Sequence, residues 1–197
     1  SCHYLEEQKN IVHFLDVNED GLIDLNSLEA LIKQKPSLIS IMHANNEIGV
    51  LQPLMKIGEL CKKYNAIFHS DIAQSIGTTA VDVKSLNLHA ASISGHKIYG
   101  PKGIGALDLS KSIKNILKPL IDGGGQEMGI RSGTLSPALC VGLGESCEDL
   151  RKNLDKYSNH FKKLKSIILS QLINSDLNFE INGNPNIRIP NNLNIRI

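Results

Sequence analysis

Apolar residues along this 197-residue chain follow two rhythms, short continuous runs and longer stretches that repeat every three to four positions. Their alternation predicts a layered α/β fold with a mainly parallel sheet. The runs "SLISIMHANN" (37–46), "AIFHSD" (66–71), "HAASIS" (89–94) and "GIGALDLS" (103–110) read as strands. Between the first two, Leu54, Ile57, Leu60, Cys61 and Tyr64 stand at helical spacing behind Pro53, a favoured first-turn residue. Farther on, Leu143, Cys147, Leu150, Leu154, Tyr157, Phe161, Leu164 and Ile168 recur at alternating steps of four and three. This predicts one long helix with Lys152, Lys156, Lys162 and Lys163 on its wet face. The helix is predicted to bridge a large unit, residues 1–150, and the start of a smaller one, 151–197. Cys140 and Cys147, one heptad apart, read as core or near-core thiols rather than a redox or metal pair.

Near the start, "IVHFLDV" (11–17) reads as a strand followed by a Gly21 turn and a short helix, "SLEALIKQK", opened by Asn26 as N-cap with Glu29 completing a capping box. The same region mimics a calcium loop, with Asp16, Asn18, Asp20, Gly21 and Ile23 in register. Ser27 stands where that loop needs a bidentate carboxylate, so the turn-and-cap reading is preferred.

Composition narrows the classes of partner. With 21 basic against 20 acidic side chains, no net field points to nucleic acid or an anionic membrane. No run reaches the ~18 apolar residues of a membrane span. Four scattered cysteines without CxxC pairs fit neither a zinc site nor a disulfide framework, which favours a reducing compartment. The missing initiator Met and the close on "NNLNIRI", an unfinished strand, read as a fragment.

In open α/β sheets the ligand crevice lies outside the carboxyl ends of the strands, where Asn45, Asn46, Asp71 and Ser94 fall. The loop "SGHKIYGPKG" is no nucleotide-triphosphate cradle, because Pro101 interrupts the glycine–lysine spacing and no hydroxyl follows Lys102. Lys97 at such a crevice suits Schiff-base chemistry with pyridoxal phosphate, provided desolvation draws the amine toward neutrality. Ser94, His96 and the Gly95 backbone offer donors for a phosphate, and a buried Asp71 offers a carboxylate for the pyridinium nitrogen. A glycine-rich turn with a solvated lysine is the competing reading. Spacing alone does not separate the two.

Four motifs in order, "HANNEIGV" (43–50), "HSDIAQSIG" (69–77), "SGHKIYGPKGIGAL" (94–107) and "GGGQEMGIRSGTL" (123–135), resemble the cysteine desulfurases of the NifS/IscS type. These are class V, fold-type I pyridoxal-phosphate enzymes. The resemblance implies a three-layer α/β/α domain and the beginning of a small C-terminal α+β domain. It implies that Lys97 forms the Schiff base and later removes the substrate's α-proton, that Asp71 pairs with the pyridinium nitrogen, and that Gln74 bonds the ring's phenolic oxygen. Asn46 would lie beside that oxygen, Ser94 and His96 would hold the phosphate, and Thr134 would reach the phosphate of a homodimer partner.

L-cysteine is the implied substrate and an iron–sulfur scaffold or another sulfur acceptor the implied protein partner, in bacterial cytoplasm or an organelle matrix. Another class V activity, an aminotransferase or selenocysteine lyase, is the alternative, as is an inactive remnant that serves only as a folded or binding module. The family's sulfur-accepting cysteine and carboxylate-gripping arginine correspond to positions beyond residue 197. Bland roles compete here too: Gln74 or Thr134 as helix caps, and His69 as a satisfied strand histidine.

Overall fold

The computed structural model describes residues 2–197. Four helices, α1 (Cys2–Glu7), α2 (Leu25–Ile32), α3 (Leu54–Lys63) and α4 (Pro137–Ile173), accompany six strands. Strands β1 (Ile39–Ser40), β2 (Phe68–Asp71), β3 (Ala90–Ser94) and β4 (Gly105–Leu109) form one sheet in that order, and β5 (Glu180–Ile181) pairs with β6 (Ile195–Arg196). The first three strands run parallel, with α3 in the connection from β1 to β2, while β4 turns back antiparallel to β3. The sheet is therefore mainly parallel, as predicted.

One face of the sheet and the helices over it make the core. Leu28 and Ile32 of α2 and Ile57 and Cys61 of α3 pack with Ile39, Phe68, Ile72 and Ala91. The amphipathic spacing read in the sequence buries Leu54, Ile57 and Cys61 and leaves Lys62 and Lys63 in the last turn, where cations suit the helix dipole. Gly58 is required there: a Cβ would stand 2.0 Å from the Leu86 carbonyl oxygen, so α3 and the 82–88 turn touch backbone to backbone.

The opposite face carries a polar row. Register pairs Ser40 with His69 and Asp71 with Ser92, and the period of two along each strand puts all four, with Ser94, on this side.

The N-terminal region departs from the expectation. Residues 11–16 form no strand, and Val17 contributes a single bridge to Ile23. Ile11 and Phe14 are 87% and 58% exposed, so no neighbouring strand covers that apolar pattern. Helix α2 is capped by Asp24, two residues before Asn26; its carboxylate accepts the Asn26 and Ser27 N–H groups, and the Ser27 hydroxyl as well.

Helix α4 runs 37 residues, but of its predicted seam only Leu150 is buried, while Leu164 and Ile168 are 43% and 50% exposed. Cys140 is half-buried and Cys147 exposed, so the latter is no core thiol. Ser136, without a side-chain bond, precedes the helix; Thr134 is not its cap.

Candidate active site

The loop from β3 to β4 carries Lys97 on a 3₁₀ turn, Gly95–Ile98. Its base is closed by the Gly95 N–H donating to the Ile104 carbonyl at 2.9 Å, next to the Ser94–Gly105 pair that ends the ladder. A ten-residue loop is too short for a parallel crossover, so β4 must return antiparallel. That bond also corrects an expectation, since the Gly95 N–H is engaged and not free for a phosphate. Ile98 is buried and anchors the turn, whereas His96 and Lys97 are exposed.

Two elements brace this loop. Helix α4 packs over it: a Cβ at Gly142 would lie 3.0 Å from the Pro101 ring, and Tyr99 meets Tyr157 edge to face at 6.4 Å. From the other side comes the 72–79 turn that follows β2, where a Cβ on Gly77 would stand 3.3 Å from the Lys97 carbonyl oxygen. Gln74 is half-buried on that turn and caps no helix.

Asp71 ends β2, paired with Ser92 of β3. It is exposed, contrary to the buried carboxylate anticipated, and its Oδ1 accepts the Ala73 N–H at 2.9 Å. The Ser94 hydroxyl and His96 Nδ1 are 3.0 Å apart, in hydrogen-bond contact. The Lys97 ammonium makes no hydrogen bond or ion pair among the described residues. Asp71, His96 and Lys97 are exposed and Ser94 is half-buried, so this strand-end rim is an open shelf rather than a closed crevice.

Asn46 reaches the rim on the turn after β1. Asn45 Oδ1 accepts both the Glu47 and Ile48 N–H groups at 2.9 Å, so the first asparagine builds the turn and the exposed second one is presented. The C-terminal segment then clamps the turn. Asn192 and Asn194 donate to the Glu47 carbonyl at 2.9 and 3.2 Å, Arg188 Nη2 donates to the Ile48 carbonyl, and the Ile189 N–H donates to the Gly49 carbonyl at 2.9 Å. Gly49 sits at φ +72 with Asn192 2.6 Å from where a Cβ would be, which only glycine allows. Thr134 is not gathered with the others. It is exposed between the 3₁₀ turn Glu127–Gly129 and α4, and makes no hydrogen bond among the described residues.

Two histidines escaped assignment. His69 lies between the Ser40 and Ser92 hydroxyls, 2.8 Å from Nδ1 and 2.7 Å from Nε2, and so links three strands beside Asp71. Burial lowers its pKa against the opposing pull of Asp71. Its alternation with Asp71 in "HSD" was the available signal. His43 is 8% exposed, its Nδ1 2.9 Å from the Ser75 hydroxyl, and its backbone N–H donates to the Asp71 carbonyl at 2.8 Å. Burial lowers its pKa to about 4.

The family model described as "Aminotransferase class-V" matches residues 2–196. The chain is 44% identical over 195 residues to "Cysteine desulfurase IscS" of Rickettsia africae, covering 99% of this chain and 48% of that protein. It is 43% identical to "Probable cysteine desulfurase, mitochondrial" of Dictyostelium discoideum, covering 99% of this chain and 43% of that one. Among solved structures, the NifS-like protein of Rickettsia africae superposes with a TM-score of 0.84 at 40% identity, over 89% of this chain and 49% of that one. The chain thus spans about half the length of the curated relatives it matches. Its sheet order, its four motifs and this end-to-end match agree: the chain belongs to the aminotransferase class-V family.

Proposed function

We propose that these 197 residues are the lysine-bearing part of a pyridoxal-phosphate-dependent cysteine desulfurase, residues 1–150 belonging to the cofactor domain and 151–197 opening a smaller one. The observation that carries this reading is the shelf itself: a lysine amine without a partner among the described residues, a hydroxyl–imidazole pair beside it in sequence and a carboxylate at the end of the neighbouring strand. That donor set fits the cofactor's aldehyde, pyridinium nitrogen and phosphate.

In this reading Ser94 and His96 would hold the phosphate, and Asp71 would keep a proton on the ring nitrogen. Gln74 donates to the ring's phenolic oxygen, with Asn46 presented beside it. Bound pyridoxal phosphate supplies the electron sink for charge left at the substrate's α-carbon. Lys97 would anchor the cofactor, and its free amine would take the α-proton of L-cysteine. Thr134 serves the phosphate of a homodimer partner. That role agrees with the exposure of Thr134 and of Leu120, Ile121 and Met128 in the same 114–136 segment, which are 100%, 53% and 72% exposed. Sulfur would pass to an iron–sulfur scaffold or another acceptor protein. The names of the relatives support a bacterial cytoplasm or an organelle matrix.

Desulfuration also needs a mobile thiolate. Cys61 is fully buried, and burial pushes its pKa up to about 11. Cys2, Cys140 and Cys147 lie within helices. None is placed on a loop at the shelf, so the persulfide thiol is assigned to residues outside these 197.

The test is borohydride reduction of the chain after incubation with pyridoxal phosphate, followed by peptide mass. A pyridoxyl group on Lys97 that is weakened by Asp71→Asn supports the reading. Labelling spread over surface lysines overturns it. Sulfide and alanine released from L-cysteine by this chain alone would overturn the assignment of the thiol.

A further inference from the structure

A second polar concavity lies away from the Lys97 shelf, with a volume of about 310 Å³. The turn after β2 contributes Thr78 and Thr79, α4 contributes Asp155, Ser158 and Lys162, and the C-terminal segment contributes Arg188. Arg188 is the unusual member. It is 7% exposed, and its Nη groups donate only to neutral acceptors, the Ile48 and Asn182 carbonyls and Asn192 Oδ1. Its Nε is buried without a hydrogen-bond partner.

Among the described residues, no carboxylate lies within 4 Å of Arg188, Lys162 or Lys165. Lys165, one turn beyond Lys162 and half-buried, has its pKa lowered by burial first and then by the charges of Arg188 and Lys162. Asp155 is exposed and is not among the groups acting on Arg188 or Lys165. An unpaired N–H on a buried guanidinium costs free energy, which an anion in the concavity would offset. The Thr79 and Ser158 hydroxyls, which have no hydrogen bond among the described residues, are added donors. Thr78 donates instead to the Ser75 carbonyl at 3.3 Å.

We infer that this concavity is an oxyanion site that takes a phosphate group, held by Arg188 and Lys162 with Thr79 and Ser158. Guanidinium and ammonium groups converging with hydroxyls are the usual chemistry of phosphate recognition. The space exceeds a single phosphate, so the group is either free or the end of a phosphomonoester. The inference is independent of pyridoxal phosphate.

The test is thermal unfolding of the full chain without cofactor, at constant ionic strength, titrated separately with inorganic phosphate and with glycerol phosphate. Saturable stabilisation is expected, and the Lys162→Gln/Lys165→Gln double variant should raise the half-saturating concentration about tenfold. That variant changes only exposed or half-exposed side chains, so its folding is checked by circular dichroism at no phosphate. Asp155→Asn should tighten binding. His96→Ala, on the shelf, should leave the response unchanged, and borohydride labelling of Lys97 should be intact in the double variant. Stronger binding of glycerol phosphate assigns the phosphomonoester, and equal binding the free ion. A response absent in the parent chain, unchanged in the double variant, or lost in His96→Ala overturns the site.

Discussion

Between Ile39 and Ser94 the chain packs Phe68, Ile57, Ile72 and Ala91 to 1% exposure or less. Between Lys114 and Ser136, by contrast, Ser132 is the one buried residue and Leu120 is wholly exposed. Both regions carry proposed site residues. Asn46 and Asp71 stand on turns and strands that the core fixes, whereas Thr134 stands on a segment held by little more than Gln126 Oε1 accepting the Gly133 N–H at 3.0 Å. The chain's own packing positions the first set, and Thr134 is left for another surface to position.

Core truncation should separate the regions most. Phe68→Ala is expected to cost about 3–5 kcal/mol, against about 0.5 kcal/mol or less for Leu120→Ala, read as urea midpoints. Equal losses would end the contrast.

Acidification comes next. Burial holds the folded-state pKa of His43 at about 4, below the ordinary histidine value of 6.5. The unfolded chain therefore binds the proton first, and the stability this residue contributes is full above pH 6.5 and is lost as pH falls from 6.5 to 4. The loss is on the order of 2–3 kcal/mol and should be absent in His43→Gln. A slope that persists in that variant would assign the effect elsewhere.

Arg188→Ala should cost about 1–3 kcal/mol, because the Ile48 carbonyl and Asn192 Oδ1 lose their donor. Faster hydrogen exchange over 45–51, with 114–136 unchanged, would show that the clamp acts on the asparagine turn. The smallest effect is chemical. Exposed Cys2 and Cys147 should react with a thiol reagent in the native state, and Cys61 only on unfolding.

The strands were legible because buried parallel strands need unbroken apolar runs, and α3 because Leu54, Ile57 and Cys61 keep one face. "IVHFLDV" carries the same signal without a neighbour to pair with, and a strand needs one. Asp24 and Asn26 are both good N-caps, so composition could not choose between them. Of the shelf, Lys97, Asp71, Ser94 and His96 could be read from strand ends. The position of Asn46 is legible at a strand end too, but its role, like Gln74 and Thr134 altogether, comes only from family resemblance. The clamp was illegible for a physical reason: Arg188 and Ile48 stand 140 positions apart, and no local periodicity couples them.

The loop bearing Lys97 leaves β3 and re-enters β4 at directly opposed residues. Pinned there, and braced by α4 and the 72–79 turn, the loop cannot drift as a body, so the lysine stem swings through its own torsions while its root stays put. Residues inserted in this stretch would have to leave Pro101 on α4 and Gly95 on Ile104, so the loop can lengthen only where neither contact is broken.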